Sequence, residues 1–133
     1  MTRSENEPLL TTSAIVYAAG ALPLLFAPAE ILVALGGERS ALAETLLQLV
    51  AGLLFGFAML NWMSRNGRVG GIYNRPLVVA NFAQAAIVTA TLARVLPGSG
   101  APWIAWAALA IWLPVGLGFL AKLFRGPHFQ EGA

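Results

Sequence analysis

The stretch ALAETLLQLVAGLLFGFAMLNWM, Ala41 to Met63, decides the fold. It carries one ionisable side chain, Glu44, close to its start, and two amides, Gln48 and Asn61; the rest is apolar, small or a single hydroxyl. As an α-helix it rises roughly 35 Å at 1.5 Å per residue, enough for the ~30 Å hydrocarbon core of a bilayer. A helix on the surface of a soluble domain keeps a polar stripe, whereas one that is apolar all round is buried in a large core or in lipid. A chain of 133 residues cannot build that large core, because so small a domain leaves much of its surface in contact with solvent. The stretch is expected to be a membrane span.

The flanking residues mark its ends. Ser40 is a candidate N-cap, and Glu44 suits the positive end of the helix dipole. Upstream, Pro28 opens a short amphipathic piece, Ala29 to Leu35, which Gly36-Gly37 ends. It is expected to lie at the membrane surface, with Glu30 and Glu38 in water. Before it, Leu9 to Ala27 forms another apolar run, with Thr11, Thr12 and Ser13 as candidate caps and Pro23 as a kink. Ala27-Pro28-Ala29 resembles a signal-peptidase site, but Glu5 and Glu7 in the leader argue against a cleaved signal.

Downstream, Ser64 to Gly71 is polar, basic and glycine-rich, hence a loop. A third apolar segment runs from Pro76 to Leu96 and is expected to stop at Pro97-Gly98-Ser99-Gly100. A fourth runs from Pro102 to Phe124, with a bend at Pro114. The expected architecture is therefore all-α: an integral membrane four-helix bundle in one domain, with spans at about 9–27, 41–63, 76–96 and 102–124 and a short interfacial helix, 29–35, after the first.

Composition agrees, with 58% of residues apolar and only 11% charged, against about a quarter charged in ordinary globular domains. The net charge of +2 comes from basic residues scattered singly at the ends of apolar runs, which excludes a nucleic-acid stripe. Four crossings put both termini on one side. Arg3, Arg65, Arg68, Arg75, Lys122 and Arg125 share that side, and Arg39 and Arg94 lie opposite. The bias predicts cytoplasmic N- and C-termini. Trp62, Tyr73, Trp103 and Trp106 fall near span ends, where aromatic rings prefer the headgroup level.

Catalytic signatures are absent: there is no cysteine, one histidine (His128), no intramembrane carboxylate pair and no phosphate-binding loop. Neither a metal nor a cofactor is expected. What remains is the chemistry of helix contact. Gly52 and Gly56 place two bare patches on one face of the second span, suited to packing inside the bundle or between protomers. Glu44 and Gln48 continue by helical spacing into Ala51, Gly52, Phe55, Met59 and Trp62, a face that lines either the bundle core or a lipophilic pocket. On the third span Asn81, Gln84, Thr91 and Arg94 follow a similar face. If the second and third spans form an antiparallel hairpin, Glu44 and Arg94 meet near the outer interface, where they either lock two helices or contact a ligand. Arg65, Arg68 and Arg75 gather around the basic loop, where anionic lipid headgroups are candidate contacts beside plain topology.

The order Leu24-Leu25-Phe26-Ala27-Pro28-Ala29-Glu30, then Leu35-Gly36, then Gly52-Leu53-Leu54-Phe55-Gly56-Phe57-Ala58, resembles small uncharacterised bacterial four-helix membrane proteins, loosely DoxX-like. The resemblance covers the first half of the chain and implies a bacterial inner-membrane location. The leading functional expectation is a non-enzymatic membrane protein acting through helix association, as a homo-oligomer or as an accessory subunit of another membrane protein. The alternative is a binding or transport protein for a small lipophilic molecule, with Gln48, Asn81 and Gln84 orienting its polar group and Glu44 and Arg94 at the mouth. An enzyme on a membrane-dissolved substrate ranks third.

Overall fold

A computed structural model describes residues 7–66 and 75–125. These residues form five α-helices: α1 (Glu7–Phe26), α2 (Pro28–Ala34), α3 (Ala41–Ser64), α4 (Arg75–Ser99) and α5 (Trp103–Phe124). There is no strand among them. Four of the helices, all except α2, are long and apolar enough to cross a membrane.

The local reasons for the boundaries are visible. Ser40 caps α3 with its hydroxyl accepting from the Ala43 N–H at 3.5 Å, as its position suggested. Helix α2 ends in a Schellman motif. The Gly36 N–H donates to Val33 O and the Gly37 N–H to Leu32 O, with Gly36 at φ +83°, a left-handed conformation that glycine adopts without cost. Two expected ends shift. Helix α1 begins at Glu7 rather than Leu9, and α4 continues through Pro97 to Ser99 instead of stopping before it. Proline is a breaker chiefly because it removes an N–H and crowds the preceding turn. So close to the end of α4, only the last turn feels that loss, and Gly100 at φ +60° then ends the helix.

The helices pack as two antiparallel pairs, α1 with α3 and α4 with α5. In the first pair Ser13 faces Asn61, Tyr17 faces Phe57 and Gly20 faces Leu54. Small residues let the backbones approach: a Cβ on Gly20 would lie 3.3 Å from Leu54 Cδ2, and one on Gly116 of α5 would lie 3.3 Å from the Ala85 Cβ of α4. The pairs meet where α1 lies against α5. Tyr17 stacks on Trp112, ring centroids 5.8 Å apart, and Leu9 fills the space over Gly118. The core is Leu10, Tyr17, Ala21, Leu54, Ala58, Leu77, Val115 and Phe119.

This arrangement corrects the hairpin expected of the second and third spans. Those spans, α3 and α4, are neighbours in sequence, yet α3 packs mainly on α1 and α4 mainly on α5, and the hydrogen bonds between the two spans are those of Asn61 with Asn81. Among the described residues, Glu44 and Arg94 are not joined by an ion pair; Arg39 pairs instead with Glu30 of α2 at 3.6 Å, with both side chains about two-thirds exposed.

Candidate functional site

Among the described residues, the side chains of Ser13, Asn61 and Asn81 are completely buried, each 0% exposed. They come from α1, α3 and α4 and form one cluster. Asn61 Nδ2 donates to Asn81 Oδ1 at 2.8 Å, and Asn81 Nδ2 returns a bond to Asn61 Oδ1 at 2.8 Å. The second proton of Asn61 Nδ2 goes to Ser13 Oγ at 3.0 Å, and that of Asn81 Nδ2 goes to Leu77 O at 2.9 Å. Ser13 passes its own proton to Leu10 O at 3.1 Å. Each amide has two N–H donors, so every donor in the cluster has an acceptor. An amide deprived of partners in an apolar interior costs several kcal/mol, so this closed set is the condition under which two asparagines can sit there.

One turn deeper the account is different. Tyr17 is 0% exposed and packs between Trp112, in a stacked arrangement, and the edge of Phe57 at 6.4 Å. Its hydroxyl is buried without a hydrogen-bond partner, as are Gln84 Oε1, Thr89 Oγ1 and Trp112 Nε1. The pairing of Ala85 with Gly116 sets the antiparallel register of α4 and α5, and that register brings Thr89 level with Trp112. The unpaired atoms thus belong to α1, α4 and α5.

The expected ligand-contacting residues are not assembled as a group. Asn81 is held by Asn61 and Ser13. Gln84 is half-buried one turn along. Gln48 is exposed and donates to Leu25 O at 3.3 Å, satisfying a carbonyl in the last turn of α1. Glu44, half-buried, lies about 25 Å along α3 from Asn61. Arg94 is exposed on α4. Of the basic group, Arg75 is exposed at the start of α4 and Arg65 follows the end of α3; Arg68 lies outside the described residues, as do Tyr73 and His128.

The glycine pair also stands differently from its packing expectation within the bundle. A Cβ at Gly52 or Gly56 meets nothing within 4 Å. Each is two residues from the buried Leu54, hence on the opposite side of the helix. The glycines in close contact are Gly20, Gly116 and Gly118.

The face through Phe55, Met59 and Trp62 is an open groove. With Ala14, Ile15 and Ala18 of α1 these residues and Ala58 enclose about 260 Å³. The guanidinium of Arg65 lies over the Trp62 ring, 3.6 Å from its centroid, and donates to Trp62 O.

Asn61 and Ser13 were missed as site residues. Asn61 reads in sequence as part of the loop boundary and Ser13 as a cap; only their shared register in the α1–α3 pair joins them. Comparisons of the chain with protein-family models, with curated proteins and with solved structures found no match.

Proposed function

We propose that the chain is a non-enzymatic, multi-pass protein of a bacterial inner membrane that works by helix association, as a homo-oligomer or as an accessory subunit of a membrane assembly. The observation that supports this best is the outward position of Gly52 and Gly56, with open space where their side chains would be. In lipid the hydrophobic effect does not drive helices together; close backbone packing and interhelical hydrogen bonds do. Two glycines one turn apart on the face turned away from the bundle offer that close approach to a helix from outside the chain. The large apolar side chains around them, Leu49, Leu53 and Met63, are exposed. A second copy meeting this face about a two-fold axis forms a closed, isologous contact.

Arg65, Arg75, Lys122 and Arg125 lie toward one end of the long helices, and Arg39 and Arg94 toward the other. This bias supports cytoplasmic termini. Native mass spectrometry of gently extracted protein tests the association. The expected result is a multimer that becomes monomeric in Gly52→Leu and Gly56→Leu while helical content is retained. A monomeric parent protein, or a multimer indifferent to both substitutions, overturns it.

One observation favours the second reading, a small amphipathic ligand held inside the bundle: the unpaired Tyr17, Gln84, Thr89 and Trp112 atoms. On that reading the polar group of the ligand meets α1, α4 and α5, not the seam between the second and third spans. A bound small molecule in the native mass, lost in Gln84→Leu, is its test.

A further inference from the structure

We propose that the groove between α1 and α3 is a binding site for an anionic phospholipid, with one acyl chain along the groove and the phosphate at Arg65. This rests on the bilayer-spanning part of the proposed function; the groove adjoins the Gly52–Gly56 face, since Phe55 and Met59 stand one and two turns along α3 from Gly52, so lipid retention and the multimer are read separately in the test.

The walls decide the first half of the occupant. Ala14, Ile15 and Ala18 on α1 and Phe55, Ala58, Met59 and Trp62 on α3 supply only apolar surface apart from one indole. The small side chains form the floor, because Ala14 and Ala58 are the buried contacts of the helix pair. Phe55, Met59 and Trp62 stand beside them as an exposed wall, one about every turn. The groove runs roughly 10 Å along the helix from Phe55 to Trp62. Its volume of about 260 Å³ falls just below the ~300–1,000 Å³ of sites for compact drug-sized ligands. A narrow, apolar, open-sided trough of that length matches a stretch of hydrocarbon chain.

The end of the groove decides the second half. Trp62 closes it, and the Arg65 guanidinium is held over that ring and to the Trp62 carbonyl. Arginine stays charged at every physiological pH, binds phosphate through a planar set of donors and stacks on aromatic faces. Trp62 and Arg65 come at the end of the span, where indole rings and basic residues settle at the headgroup level. One molecule satisfies both halves, and it has a hydrocarbon tail joined to an anionic head. A zwitterionic lipid satisfies the groove and gains less from the guanidinium; a free phosphate satisfies the guanidinium alone.

The experiment is native mass spectrometry of the full chain in detergent, titrated with phosphatidylglycerol or phosphatidylcholine of equal chain length. The parent protein is expected to retain phosphatidylglycerol over phosphatidylcholine by about five-fold, the effect of one interfacial arginine. Arg65→Gln brings the two lipids to parity. Arg94→Gln, at the other end of the helices, leaves the preference intact. Ala18→Phe, which fills the groove, lowers retention of both lipids. If that variant fails to fold, Ile15→Trp narrows the groove from an exposed position. Parity in the parent protein, a preference that survives Arg65→Gln, or retention unchanged by both groove variants overturns the site. Loss of the multimer without loss of lipid in the groove variants assigns the groove to a second copy and also overturns it. Failure of the chain to fractionate with membranes removes the bilayer-spanning reading itself, a result distinct from all of these.

Discussion

Replacing Asn61 by leucine removes the centre of the buried amide cluster. Three hydrogen bonds disappear with it: the one to Ser13 Oγ and the two exchanged with Asn81. Side-chain hydrogen bonds between helices in a bilayer average about 0.6 kcal/mol each, so Asn61→Leu is expected to cost about 2 kcal/mol. Asn81→Leu removes only the two exchanged bonds from between helices and is expected to cost about 1.2 kcal/mol. The double variant loses the same three interhelical bonds as Asn61→Leu and should cost about 2 kcal/mol, well short of the sum of the singles. The shortfall, about 1.2 kcal/mol, is the coupling energy of the reciprocal pair. Reversible unfolding in mixed micelles titrated with a denaturing detergent, followed by circular dichroism, measures all four stabilities. Because independent sites add to within ~0.3–0.5 kcal/mol, a coupling energy in that range or lower refutes the pair as an energetic unit.

The same assay checks the contrasting glycines. Gly52→Ala, where open space surrounds the new Cβ, is expected to stabilise the monomeric fold by up to about 1 kcal/mol through helix propensity, whereas Gly116→Ala, whose Cβ lies 3.3 Å from that of Ala85, is expected to destabilise it by roughly 1 kcal/mol. Tyr17→Phe keeps the stacked ring and deletes a buried hydroxyl that lacks a partner; the expected gain is about 1 kcal/mol, and a loss of that size would show that the hydroxyl is satisfied. Glu30→Gln, at a pair about two-thirds exposed, should shift stability by less than about 0.5 kcal/mol, measured at low and moderate salt.

The long helices and the cap of α3 were legible because they rest on local facts, whereas Thr11, Thr12 and Ser13, expected to cap the first span, lie inside α1. Lengths of apolar sequence, Ser40 before α3 and the Gly36-Gly37 pair after α2 act within a turn of themselves. The choice of partners was not legible. A helix apolar on every side has no polar stripe to say which face is buried, so Gly52 and Gly56 carry a packing spacing without an orientation. The glycines that do let helices close, Gly20, Gly116 and Gly118, show no such spacing because they face different neighbours. The hairpin expected between α3 and α4 followed from their nearness in sequence, but α1 had already claimed the Ala51, Leu54, Ala58 and Asn61 face across the intervening α2. Asn81 was correctly marked as a polar group needing a partner; that the partner is Asn61 depends on how the two pairs meet, which no single helix encodes.

The amide cluster also sets an order of events during synthesis. The α1–α3 pair is complete by Ser64, before the first residue of α4 has been made. At that stage Asn61 has Ser13 for one proton, while its carbonyl and its other proton await Asn81. A half-satisfied amide in an apolar interior is a standing attraction for a polar group, and α4 delivers one 20 residues further along the chain. The first pair thus leaves one amide half-satisfied, and α4 completes it with both a donor and an acceptor.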